Sequence, residues 1–135
     1  MFSTILLPVD LGHDASWEKA LPAALGFGGA LHLLSVAPDF GESAVSSYFP
    51  PDFEAKARAG LKARLDAFGA ERAPGAAAHV AFGDIDRAIL DAASRIGADL
   101  IVMASHKPSE LRSFFIGSHA ERVVRHSPIP VLVIR

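Results

Sequence analysis

The chain has 135 residues, enough for one hydrophobic core and few for two. Half of it is hydrophobic and 21% is charged, and 13 basic against 15 acidic residues leave a net charge of −2. That balance offers no broad basic surface for nucleic acid or acidic lipid. The absence of cysteine excludes disulfides, thiolate metal sites and cysteine nucleophiles, and suits a reducing cytoplasm.

The opening "MFSTILLPVD" has no basic region and only a short apolar run, so it does not read as a signal peptide. No stretch reaches the length of a membrane-spanning helix. The first strand is predicted at "TILLPV" (Thr4 to Val9). Next comes a helix capped by Asp14 or Ser16, with Trp17, Ala20, Leu21, Ala24 and Leu25 on its inner face. Pro22 lacks an N–H and predicts a kink or an irregular first turn, and Gly26, Gly28 and Gly29 end the helix.

"LHLLSV" (Leu31 to Val36) is the second strand. The irregular stretch from Pro38 to Pro51 follows, and a loop of that length is commonly a flap, an interface or a disordered segment. Asp52 is expected to cap a second helix that turns Phe53, Ala57, Leu61, Leu65 and Phe68 inward and stops near Gly69. "AHVAF" (Ala78 to Phe82) predicts a weaker, edge-like strand. Asp84 caps a third helix with Ile85, Ala88, Ile89, Ala92 and Ile96 inward, stopped by Gly97. "DLIVMA" (Asp99 to Ala104) is a strand, and a fourth helix from Ser118 carries Ala120, Val123 and Val124. Arg122, Arg125 and His126 in its last turns suit the helix dipole. "HSPIP" breaks that helix before the strand "VLVI" (Val131 to Ile134).

The apolar runs show little polar alternation, as do strands buried on both faces. Strict β-α alternation then predicts an α/β fold: a doubly wound, five-stranded parallel sheet with four helices, Rossmann-like in form. Such sheets bind ligands beyond the carboxyl ends of their strands, where strand order reverses.

Candidate functional residues cluster at that edge. Asp10 directly follows the first strand, where it serves either as a turn former or as a partner for a ribose or metal. Gly117 and Ser118 open the fourth helix, where free N–H groups and the dipole suit phosphate; an ordinary N-cap serine is the plainer alternative. Lys107 in "SHKPS" is a cation near the same edge, or a solvated loop lysine. His13, His106 and His119 also fall there, but without metal-ligand spacing, and no metal site is expected. His32, flanked by leucines, reads as a polar-tipped core or interface histidine. There is no G-x-S-x-G elbow, Walker A pattern or early G-x-G-x-x-G, and no catalytic set emerges. The residues therefore read as a small α/β binding domain with an anion-friendly crevice.

"ILLPVD", "GD…AIL" from Gly83 to Leu90, "ADLIVMAS" and "GSHAERVVRHSPIPVLVIR" resemble the universal stress protein family over essentially the whole chain. The resemblance implies one domain across 1–135 and the adenine nucleotide alpha hydrolase-like form of the fold. It also implies ATP or ADP as ligand, with or without Mg, held between the first and fourth strands. A homodimer or higher oligomer through the last strand is expected, which would also cover an apolar edge.

The family's nucleotide motif, G-x2-G-x9-G-[ST], falls on Ala104, Lys107, Gly117 and Ser118, so its spacing is kept while two glycines are replaced. Lys107 is poorly suited to glycine-only backbone conformations but brings a cation. "MASHKPSEL" resembles a branch with ASH[RK]P in this loop, in which His106 and Lys107 lie near the phosphates. By the same resemblance Pro8, Val9 and Asp10 line the adenosine, Val36 offers backbone to adenine and Met103 packs nearby. The N–H of His119 joins Gly117 and Ser118 at the phosphates. The Pro38 to Pro51 segment resembles members that accompany tripartite solute transporters, which implies a transporter partner.

The leading function is a stress-response or regulatory nucleotide binder, at most a slow ATPase. The alternative is a family member that binds no nucleotide and acts through protein contacts. A phosphoryl-receiver reading of Asp10 and Lys107-Pro108 lacks a paired acidic residue, and "DLGHDAS" lacks an adenylyltransferase signature.

Overall fold

Five apolar runs become the five strands of one parallel sheet in a computed structural model that describes residues 1–37, 50–105 and 118–135. The elements run β1 (Thr4–Pro8), α1 (Ala20–Gly26), β2 (Ala30–Ala37), α2 (Phe53–Arg72), β3 (Ala77–Phe82), α3 (Ile85–Ile96), β4 (Leu100–Ala104), α4 (Ser118–His126) and β5 (Val131–Ile134). Spatial order is β3-β2-β1-β4-β5. The chain builds outward from β1 to β3, then returns to the far side of β1, so the order reverses between β1 and β4. The Rossmann-like prediction is met, with β3 at an edge.

Alternate residues of each central strand feed opposite cores. Ile5, Leu7, Leu31, Leu33, Leu100 and Val102 pack under α1 and α2, with Leu21, Ala24 and Leu65 from those helices. Leu6, Leu34, Ile101 and Met103 face α3 and α4, meeting Ile89, Ala92, Ala120 and Val123. Ten large side chains, among them Ile5, Leu6, Leu7, Leu33 and Ile101, are essentially sealed from water. At about 1.5–3 kcal/mol for each such side chain, burial on both faces is what holds the sheet between its helices.

Local chemistry explains both ends of α3. The Asp84 carboxylate accepts a hydrogen bond from the Arg87 N–H, and Gly97 closes α3 in the left-handed region at φ 69°. Pro22 sits in the first turn of α1, the part of a helix that tolerates proline. Gly29 precedes β2 where a Cβ would stand 2.4 Å from the Phe2 carbonyl oxygen, so only glycine lets the two segments meet.

Several expectations need correction. Asp14 and Ser16 do not cap α1; Asp14–Ser16 is a separate 3-10 turn, Trp17 lies before the helix, and α1 starts after Lys19 without a side-chain cap. Leu25 turns outward at 48% exposure, because Ala20, Leu21 and Ala24 take the core positions of this seven-residue helix. Val124 is exposed as well, Val123 taking the core position. Asp52 makes no capping hydrogen bond and instead pairs with Lys56. Gly69 does not stop α2, which continues to Arg72; its bare Cα fits against Leu33. The flap or interface expected from Pro38 to Pro51 lies, up to residue 49, outside the described residues.

Candidate functional site

The strand reversal leaves a cleft of about 180 Å3 at the carboxyl ends of β1 and β4. Pro8, Val9 and Asp10 bring β1 to its floor, Leu34 and Val36 come from β2, and Met103 and Ala104 from β4. Ile85 and Ile89 of α3, Ser16 of the 3-10 turn and His119 of α4 complete the walls. Location at the switch point, with apolar walls and a few polar groups, is the usual character of a ligand site in this architecture. A second groove of about 220 Å3, lined by β3 and α3, lies at the outer edge away from the switch point.

Asp10 is set by local chemistry. Its Oδ1 accepts the Gly12 N–H at 3.0 Å, and its Oδ2 lies 2.8 Å from His13 Nδ1. The turn-forming role is therefore real, and the exposed carboxylate still has unused lone pairs beside the cleft. Buried Ser16 fixes the backbone beneath: its Oγ accepts from the Asp10 N–H at 2.9 Å and donates to the Asp10 carbonyl at 3.1 Å. Ser35 Oγ, also buried, donates to the Val9 carbonyl at 2.8 Å.

Val36 offers a main-chain acceptor. The Leu34 carbonyl accepts from Val9 at 2.8 Å, while the Ala37 carbonyl accepts from Gly83 at 2.9 Å on the opposite side of β2. Strand carbonyls alternate in direction, so the Val36 carbonyl points to the β1 side. There it stands one step beyond the Leu34–Val9 bond, at the cleft.

Behind the opposite wall, Asp86 is only 7% exposed, and both its oxygens are engaged by α4. Oδ1 lies 2.8 Å from His119 Nδ1, and Oδ2 accepts from Arg122 Nη1 at 2.8 Å. A carboxylate only accepts, so His119 donates from Nδ1.

Seven expected site residues thus converge on the cleft: Pro8, Val9, Asp10, Val36, Met103, Ala104 and His119. Ser118 begins α4 but is exposed and does not line the cleft. His106, Lys107 and Gly117 lie outside the described residues, as does the loop they belong to. No described non-glycine residue has positive φ, so Ala104 occupies its motif position without strain. The reading by residue type missed Ser16, Leu34, Ile85, Asp86 and Ile89. Among the described residues no group of three or more His, Asp or Glu side chains is placed to hold a metal, and no helix is long and apolar enough to cross a membrane.

The universal stress protein family model matches residues 1–135. A universal stress protein of Thermus aquaticus is 33% identical over 141 residues, covering all of both chains. The structure resembles universal stress protein UspA from Lactobacillus plantarum with a TM-score of 0.67 at 26% identity, covering 98% of this chain and 97% of that one. It also resembles a universal stress protein solved in complex with cAMP, with a TM-score of 0.64 at 21% identity over 99% and 97% of the two chains. With the family pattern spanning its full length and the strand order, core and switch-point cleft all in place, the chain belongs to the universal stress protein family.

Proposed function

We propose that the cleft binds an adenine nucleotide, ATP or ADP, with or without Mg, and that the protein is a regulatory or stress-response binder rather than an efficient enzyme. The observation that carries this is the convergence of Pro8, Val9, Asp10, Val36, Met103, Ala104 and His119 on one switch-point cleft. An apolar slot flanked by Val9, Val36 and Met103 suits a base, and the Val36 carbonyl suits its exocyclic amine. The Asp10 carboxylate suits ribose hydroxyls. Ser118, at the start of α4, suits phosphate. By resemblance the phosphate end extends to His106, Lys107 and Gly117. The cAMP-bound protein bears on the fold alone at 21% identity, so this chain's own cleft supports the assignment.

In the same proposal the protein is one cytoplasmic domain that pairs through β5. Its nucleotide state acts on a partner surface, with a solute transporter as the partner class the resemblance names. Hydrolysis, if any, is slow.

The test begins with protein purified without added nucleotide and denatured in acid. Anion exchange of the supernatant is expected to give near-stoichiometric ATP or ADP at the adenine absorbance. Asp10→Ala is expected to weaken ADP binding about tenfold, the loss of roughly 1.5 kcal/mol for hydrogen bonds to a charged group. An empty protein that also gives no heat with Mg-ATP overturns the proposal in favour of a family member working through protein contacts alone.

A further inference from the structure

Among the described residues that line the cleft, Asp10 carries the negative charge and His119 is the one group able to carry a positive charge. The imidazole stands between the cleft and the nearly buried Asp86 of α3, with Nδ1 2.8 Å from Oδ1 of that carboxylate. Because the carboxylate only accepts, the neutral ring must be the Nδ1–H tautomer. Nε2, the remaining ring nitrogen, then carries a lone pair. A lone pair repels an anion. One added proton turns Nε2 into a charged donor while Nδ1 keeps its bond to Asp86, and charge-assisted hydrogen bonds to phosphate are roughly twice as strong as neutral ones.

We propose that His119, positioned by Asp86, binds the nucleotide phosphates as an imidazolium, so that nucleotide binding draws a proton into the protein. This rests on the nucleotide reading of the cleft and adds a side chain to it. The groups around the ring are consistent with a switch. Asp86 faces it from α3, and Arg122, one turn further along α4, holds the second Asp86 oxygen at 2.8 Å. Asp10, paired with His13, lies on the β1 side of the same cleft. The β4 lining, Met103 and Ala104, is apolar. Asp86 and Arg122 cancel each other, so the proton on His119 is net positive charge available to an incoming anion. Asp86 is a positioning residue; it does not line the cleft.

Calorimetric titration of ADP at pH 7.5, in two buffers of different ionisation enthalpy, counts the protons exchanged. Wild type is expected to take up protons on binding ADP, and its affinity to fall about tenfold from pH 6 to pH 8. His119→Gln keeps a hydrogen-bonding side chain without a titrating group and is expected to lose both effects. The phosphate titration of ADP is common to both proteins and cancels in the comparison. Nitrogen chemical shifts of the His119 ring in the wild type, free of nucleotide at pH 8, are expected to report Nδ1–H; the Nε2–H tautomer overturns the role of Asp86 without any variant. ADP binding with the same pH profile and the same proton count in wild type and His119→Gln overturns the proposal and leaves the nucleotide reading standing. Absence of ADP binding at every pH overturns both.

Discussion

On β3, His79 stacks on His32 of β2, with its Nε2 2.9 Å from His32 Nδ1 and the rings 14° from parallel. Such a bond needs one donor and one acceptor nitrogen, so it survives in the neutral pair and fails when both rings are charged. Burial lowers the His79 pKa below its ordinary value of 6.5, and the positive charges of His32, Arg95 and Lys62 lower it further. The unfolded chain therefore takes up this proton at a higher pH than the folded one. Stability from the pair is complete above the unfolded value, and is lost as pH falls from 6.5 through the lowered folded value. Urea midpoints measured from pH 8 down to pH 5 are expected to fall over that window, and to fall less in His79→Gln; equal slopes in the two proteins would remove His79 as the cause. The sequence marked His32 as a polar-tipped core or interface histidine, but its partner depends on the β2–β3 register, in which Leu34 stands opposite His79. The same limit applies at the cleft. Asp10 was legible because it directly follows a strand. Asp86 was not, because its partners His119 and Arg122 are more than thirty residues away and meet it only once α3 and α4 pack side by side.

At the scale of elements, the two glycines of α2 separate propensity from packing. Gly60 has nothing within 4 Å of where a Cβ would stand, whereas the same atom at Gly69 would lie 3.3 Å from Leu33 Cδ1 in a fully buried position. Gly60→Ala is expected to stabilise the protein by about 0.5–1 kcal/mol through reduced unfolded-state entropy and better helix propensity. Gly69→Ala gains the same propensity but must displace Leu33, so it is expected to fall short of Gly60→Ala, with the order read from chemical denaturation. The reverse order would mean that the contact between α2 and β2 is slack. A glycine costs a helix only about 1 kcal/mol, which explains why Gly69 reads as a stop in the sequence and yet lies within α2. The central strands β1, β2 and β4 were legible because both of their faces are buried, which leaves unbroken apolar runs. α3 was legible because an Asp84 cap, an apolar face and a left-handed Gly97 all agree. α1 was the least legible, since its short span and the preceding 3-10 turn are set by Ser16 packing beneath Asp10.

For the molecule as a whole, the open question is what covers the outer edge of β5. The strand pairs only with β4 among the described residues, and its four residues, Val131–Ile134, are all apolar and half-buried. Ile101 donates its N–H to the Pro130 carbonyl, and Ser105 donates to the Ile134 carbonyl. With Ile101 opposite Val131 and Met103 opposite Val133, this ladder turns the N–H and C=O groups of Val131 and Val133 away from β4. The result is a short, apolar edge whose outward hydrogen-bonding groups pair with no strand among the described residues, which invites another strand, and a second copy of β5 fits it by symmetry. Light scattering is expected to give twice the 14.2 kDa chain mass. Val133→Pro removes one outward N–H and no bond to β4, and proline is tolerated on edge strands. The variant is therefore expected to keep the helical circular dichroism of the folded chain while the mass falls to that of a monomer. A dimer that survives Val133→Pro would place the contact elsewhere on the surface, and a wild-type monomer would leave the edge to a different partner. Because β5 adjoins β4, whose carboxyl end forms one wall of the cleft through Met103 and Ala104, a subunit docked on β5 would sit one strand from any bound nucleotide. ADP is then expected to shift the dimerisation constant measured by sedimentation, and reciprocity requires dimerisation to shift ADP affinity by the same factor.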